Sequence, residues 1–161
     1  MSDLETQYVT FELDNQAYGV NVSEVVEVIR IVGMSESPEA VSYVVGLINI
    51  RGQVVPVVDM RARLHLGATE YSLATPILVT SSKGASVGLI VDRVREVKTI
   101  PDQAIDRPDQ TFSKSRCVTG VAKLDAQLIF LLNLSGIFSA DDAQIIEELS
   151  AARTPKESVP A

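Results

Sequence analysis

Residues 8–13 alternate along the chain. Tyr8, Thr10 and Glu12 take one side, and Val9, Phe11 and Leu13 take the other. A period of two over six residues is the signature of a half-buried strand. Asp14-Asn15-Gln16 is turn chemistry and Ala17-Tyr18-Gly19-Val20 resumes the apolar pattern, so a hairpin is predicted. Residues 23–28 fit either a helical turn or a strand. Residues 33–43 form a polar connector containing Pro38. Two apolar runs, 44–50 and 53–58, then flank Arg51-Gly52, which reads as a second hairpin with glycine at its turn. Residues 60–66 suit a short helix, and 67–75 a Gly/Ser/Thr linker. After Pro76 the pattern begins again. Strands are predicted over 77–80, 85–91 and 94–99, with Lys83-Gly84 as a turn. Residues 101–116 read as a long polar loop. A last strand pair, 118–124 and 127–132, surrounds Asp125-Ala126. Beyond it, Ser139 suits a helix N-cap, Asp141 and Asp142 suit the first turn, and Ile145, Ile146 and Leu149 give an apolar stripe. The tail from Thr154 is polar and reads as disordered.

The resumption after Pro76 is a repeat. At an offset of 69, Gly19 meets Gly88, and Val22, Val25, Glu27 and Val28 meet Val91, Val94, Glu96 and Val97. At an offset of 74, Val44, Gly46 and Gln53 meet Val118, Gly120 and Gln127, and Asp59 meets Asn133. The offset grows because the loop at 101–116 is longer than the connector at 33–43. A unit of about 70 residues therefore occurs twice, and each alone is marginal on surface-to-volume grounds. The expectation is an all-β fold of two small pseudo-symmetric barrels sharing a core. Their approximate spans are 7–68 and 76–139, with 140–161 as a C-terminal helix and polar tail.

Composition supports the strands. The 161 residues include 22 valines and 12 isoleucines, no tryptophan and only 5% aromatics, an enrichment that favours sheet. The formal net charge of −7 argues against a nucleic-acid or anionic-membrane surface, which needs basic character. A lone cysteine, Cys117, excludes an intramolecular disulfide and fits a reducing cytosol. No apolar run reaches 18 residues and the first residues are acidic and polar, so neither a membrane-spanning helix nor a signal peptide is expected.

Candidate chemistry is sparse. His65 is the only histidine and has no ligand spacing with Cys117. Phosphate-cradling glycine loops and nucleophile motifs are missing. Asp92, Asp102, Asp106 and Asp109 are explained more simply by solvation than by paired acid–base work. No catalytic residue, metal site or cofactor is expected. Arg51, inside an otherwise apolar hairpin, either points to water or needs an acidic partner. Glu27, itself in the apolar context VVEVI, is the natural candidate.

The run from Val44 to Met60 fits V-x-G-x-x-N-x-R-G-x-x-x-P-V-x-D-L at every fixed position except Met60. With Tyr18-Gly19-Val20, Val25-Val26-Glu27-Val28, Val87 to Asp92 and Gly120-Val121 following in order, the chain resembles the CheW family of chemotaxis coupling proteins over roughly residues 7–139. The resemblance implies two five-stranded SH3-like barrels, short helical turns and no catalysis. It also implies two partners: the cytoplasmic tip of chemoreceptors and the regulatory domain of the histidine kinase CheA. A cytoplasmic protein recruited to membrane receptor arrays would follow, without direct membrane insertion.

Carried over residue by residue, the resemblance makes Glu27 and Arg51 a buried ion pair supporting the partner surface. It puts Val25, Gly46 and Gly88 along a groove between barrels that receives the receptor helix, and Val22 on a kinase-facing edge. Ile29 and Arg30 depart from the family's usual basic position after the V-x-E-I segment. Ordinary core packing is the competing reading for Val22 and Val25. Competing functions are a CheW-like coupler of a non-flagellar pathway such as type IV pilus twitching, a kinase or receiver-fused fragment, and an enzyme. The starting Met and tapering tail favour a stand-alone chain over the fragment.

Overall fold

The computed structural model describes residues 4–31, 35–36, 42–67, 70–107, 117–138, 142 and 144. Its strands are β1 (Glu5–Leu13), β2 (Gln16–Asn21), β3 (Val25–Arg30), β4 (Ser35–Glu36), β5 (Val44–Ile50) and β6 (Gln53–Asp59) in the first repeat. The second repeat supplies β7 (Pro76–Ser82), β8 (Ala85–Ile90), β9 (Arg93–Pro101), β10 (Ile105–Asp106), β11 (Val118–Leu124) and β12 (Gln127–Leu132). One short helix, α1 (Met60–Arg63), follows β6, and 3-10 turns occupy Val22–Glu24, Asp102–Ala104 and Leu134–Gly136. The segment 23–28 is thus a 3-10 turn that runs into a strand. The loop expected over 101–116 opens with a 3-10 turn and β10. The helix expected after Ser139 lies outside the described residues except for Asp142 and Gln144, both helical.

All four hairpins turn on two residues with positive φ: Asp14-Asn15, Arg51-Gly52, Lys83-Gly84 and Asp125-Ala126. Two consecutive left-handed residues match the right-handed twist of the flanking strands, and Asn, Asp and Gly adopt that conformation most readily.

Sheet 1 has the order β10-β11-β12-β2-β1-β9, and sheet 2 the order β4-β5-β6-β8-β7-β3. Adding six to each strand number of sheet 2 gives sheet 1, so the repeat is a structural pseudo-two-fold. Each sheet takes two strands from one repeat and four from the other. The parallel contacts β12–β2 and β6–β8 tie the repeats together. Even the irregularities recur. The register shift near Val25 against β7 returns near Val94 against β1. The shift between Val44 and Gly46 returns between Val118 and Gly120. The all-β architecture is as expected, but the pairing makes two open six-stranded sheets rather than closed five-stranded barrels. The two-residue strands β4 and β10 each pair with a single neighbour, leaving an edge at either end.

Burial follows the same symmetry. Ile48, Val55, Val57, Ile77, Val79 and Ile90 fill the curl of sheet 2. Tyr8, Ala17, Ile100, Ala122, Ile129 and Leu131 fill that of sheet 1. A third cluster joins the repeats, with Phe11, Tyr18, Val20, Met60, Leu78, Leu89 and Ile137 among its buried members. Neither repeat could bury this shared surface alone, which is why both are needed.

Candidate functional site

Glu27 lies on β3, an edge of sheet 2, and Arg51 lies at the tip of the β5–β6 hairpin. Two strands, β7 and β8, lie between β3 and the β5–β6 hairpin in the sheet order, yet Arg51 Nη1 and Glu27 Oε2 are 3.7 Å apart. Only a strongly curled sheet brings them together, so the pair spans its open side. The turn is held in place by Asn49 Oδ1, which accepts from the Gly52 amide at 2.9 Å. The contact expected from the sequence is therefore present. Its burial is not: the Arg51 side chain is 74% exposed and that of Glu27 32%. Arg51 sits at the turn tip with positive φ, and its side chain lies mostly in water. The pair is a surface clasp.

Around this clasp, the strand β3 presents apolar side chains to solvent. Val26 and Val28 are 45% and 48% exposed, and Val22, in the preceding 3-10 turn, is 37% exposed. Asn21 caps that turn through its Oδ1, which accepts from the Ser23 amide. Repeat symmetry makes Val22 informative: its counterpart Val91 is buried in the shared core. Val97, the counterpart of Val28, is 50% exposed on β9. The alternation of β3 marks Val26 and Val28 as outward-facing once the strand is recognised. In the sequence, residues 23–28 fit a helical turn as well as a strand, and the helical period hides this alternation.

Val25, Gly46 and Gly88 sit deeper. Val25 is half-buried and packs on the shared core. Gly46 is buried on β5 and Gly88 on β8. A Cβ added at Gly88 would lie 2.9 Å from Ile77 Cγ2, with Val57 and Ile48 beyond. Its missing side chain is thus filled from inside the protein. Glu27, Arg51 and Val22 reach the surface, whereas Val25, Gly46 and Gly88 support it from beneath.

A second polar constellation escaped the sequence reading. Arg61 on α1 donates to both oxygens of Asp92, Nε to Oδ1 and Nη2 to Oδ2, each at 2.8 Å. Asp92 Oδ2 also accepts from the Asp14 amide at 2.8 Å. Hydrogen bonding from Arg61 holds the Asp92 carboxyl below its usual pKa. Nearby, Asp59 caps α1 by accepting from the amides of Arg61 and Ala62, and accepts from the Tyr71 hydroxyl at 2.7 Å. Burial, with that hydrogen bond, pushes the Tyr71 phenol upward. Asn133, the counterpart of Asp59, caps the 3-10 turn after β12 in the same way. The Arg61–Asp92 pair, with the Asp14 amide, joins the two repeats. Among the described residues, no three His, Cys, Asp or Glu side chains gather as a metal site. No described helix is long and apolar enough to cross a membrane.

A family model described as CheW-like domain matches residues 7–142. The chain is 32% identical over 140 residues to the chemotaxis protein CheW of Rhizobium meliloti, covering 86% of this chain and 90% of the relative. It is 30% identical over 146 residues to the chemotaxis protein CheW of Thermotoga maritima, covering 91% of each. Among solved structures, the scaffolding protein TtCheW from Thermoanaerobacter tengcongensis superposes with a TM-score of 0.78 and 31% identity, over 86% of this chain and 96% of that one.

Proposed function

This chain belongs to the family of CheW-like domains, and from that premise we propose that it is a non-catalytic adaptor coupling transmembrane chemoreceptors to the histidine kinase CheA. Family membership and the scaffolding relative support the coarser reading, a CheW-like scaffold of chemotaxis rather than an enzyme. A cytoplasmic location, with recruitment to receptor arrays, follows from that role.

The observation that carries the proposal is the exposed valine stripe on β3 beside the Glu27–Arg51 clasp. An apolar strip bordered by a fixed charge pair suits docking of an amphipathic receptor helix, with the charges setting register. Val22 contributes side-chain surface to the kinase-facing edge. Val25, Gly46 and Gly88 act indirectly by setting the height and curvature of the strands below. No cofactor takes part.

The test is co-sedimentation of the full chain with a receptor signalling fragment, with and without the kinase. The unmodified chain is expected to bring receptor and kinase into one complex. Val28→Glu should remove the receptor and Val22→Glu the kinase. Loss of both partners in each variant, with the fold intact, would mean a single shared surface and would overturn the coupling mechanism.

A further inference from the structure

Helix α1 and the 3-10 turn Leu134–Gly136 occupy matched places in the repeat, and they meet. Arg63 Nε donates to the Ile137 carbonyl at 2.6 Å, and Arg63 Nη2 to that of Gly136 at 3.1 Å. At the offset of 74, Ile137 is the counterpart of Arg63 itself. A residue that touches its own counterpart lies at the pseudo-two-fold axis, where only one copy of a side chain fits. The two copies have diverged accordingly. Ile137 is fully buried in the shared core, and Arg63 is the half-buried tie beside it.

Other side chains fasten the same segment. The Arg63 guanidinium lies 5.5 Å from the centre of the Tyr43 ring, within cation–π reach. Tyr43 stacks on Phe138 with centroids 6.0 Å apart, and its hydroxyl donates to Asp142 Oδ2 at 2.6 Å. Beneath them Cys117, the counterpart of Tyr43, is fully buried, and its Sγ donates to the Gly136 carbonyl at 3.6 Å. The chain leaves sheet 1 after β12, and side chains of the first repeat hold it down from there.

We propose that Leu134–Phe138 is a strap across the junction of the repeats, latched by Arg63 and Tyr43, which lifts while both sheets stay paired. A segment held by side-chain ties opens at a lower free energy than strands in a hydrogen-bonded ladder. Lifting uncovers Cys117 and the apolar cluster around it. The device is built into the fold and does not depend on which partners the chain couples.

Cys117, the chain's single cysteine, is the probe. On the full-length chain, its reaction with dithiobis(nitrobenzoate) should be slow in native buffer. The rate should rise with urea less steeply than global unfolding does, the mark of a local opening. Tyr43→Phe removes only the hydroxyl and should speed the reaction by roughly two- to tenfold, the factor one net hydrogen bond supports. Arg63→Lys keeps the charge but loses the planar fork, and should speed it at least as much. A detached 3-10 turn does not hold its own hydrogen bonds, so the Gly136 and Ile137 amides should exchange faster in both variants, with the β8 amides unchanged. Val55→Ala, in the apolar filling of sheet 2, weakens the fold away from the strap and should leave the thiol rate unchanged. A thiol rate that ignores both latch variants, or that Val55→Ala raises equally, would overturn the strap. Should Arg63→Lys fail to fold, Tyr43→Phe decides alone.

Discussion

Arg61 and Asp92 face each other fork to fork, with two parallel hydrogen bonds of 2.8 Å. Arg61 belongs to the helix that ends the first repeat's strands, and Asp92 to the corner between β8 and β9. Asp92 also takes the Asp14 amide from the β1–β2 turn, and its own amide donates to the Glu12 carbonyl at 3.0 Å. One carboxylate thus joins three chain segments from both repeats. Its side chain is only 27% exposed and that of Arg61 22%, so the pair is shielded more than an ordinary surface bridge.

Asp92→Asn is therefore expected to destabilise the fold by about 1–3 kcal/mol at neutral pH, as a charge-assisted bidentate pair is replaced by a weaker contact. The Asp92 pKa is lowered in the folded state. Its contribution is then fully present above the ordinary carboxylate value of about 3.9, and is lost as pH falls through the lowered folded value. Urea titrations should show a constant gap between wild type and Asp92→Asn from pH 5 to 8 that shrinks below about pH 4. A gap that grows on acidification would contradict the assignment.

Arg51 should behave differently. Its pair with Glu27 is longer, and its side chain is largely in water. Arg51→Ala is expected to change unfolding free energy by less than about 1 kcal/mol after solvent screening. Receptor and kinase binding should still fall if the clasp sets the register of the docking strip. Exchanging the charges, Glu27→Arg with Arg51→Glu, should restore part of that binding. A loss of binding that merely tracked a loss of stability would deny the pair any role at the surface.

Much of this architecture was legible in the chain. The offsets of 69 and 74 match the register shifts at Val25 and Val94, and at Val44 and Val118. Local turn chemistry marked all four hairpins. The exchange of strands between repeats was not legible. Pairing of β9 with β1, or β3 with β7, joins segments about 50 to 90 residues apart and leaves no local pattern. For the same reason the burial of Gly88 was hidden, because the atoms filling its space come from Ile77, Val57 and Ile48 on other strands. The Glu27–Arg51 contact could be guessed from charge in apolar surroundings. The Arg61–Asp92 pair could not, since Asp92 follows an apolar strand as many solvated residues do. The only pointer in the chain is that Asp59 and Asp92 each end an apolar run.

Gly88 offers a sharp test of the packing. A methyl group there would come within 2.9 Å of Ile77 Cγ2, closer than the interior allows without movement. Gly88→Ala should destabilise by about 1–3 kcal/mol through overpacking. Adding Ile77→Val, which thins the neighbour, should recover part of the loss. Thermal melts of the two single variants and the double variant decide this. A neutral Gly88→Ala would place the glycine at an open surface instead.

Ala126 occupies φ 62° in the β11–β12 turn, where the matched residue Gly52 has φ 87°. An L-residue with a Cβ is disfavoured in the left-handed region by roughly 1–2 kcal/mol, a penalty that glycine avoids. Glycine loses more chain entropy on folding, by about 0.5–1 kcal/mol. The difference leaves a net gain of about 0 to 1.5 kcal/mol for Ala126→Gly. The reverse change at the matched turn, Gly52→Ala, should lose a similar amount, since nothing lies within 4 Å of the added Cβ and only the backbone is strained. Chemical denaturation should give opposite shifts of similar size for the two variants. Shifts of the same sign would show that the turns are not conformational equivalents, despite occupying matched places in the repeat.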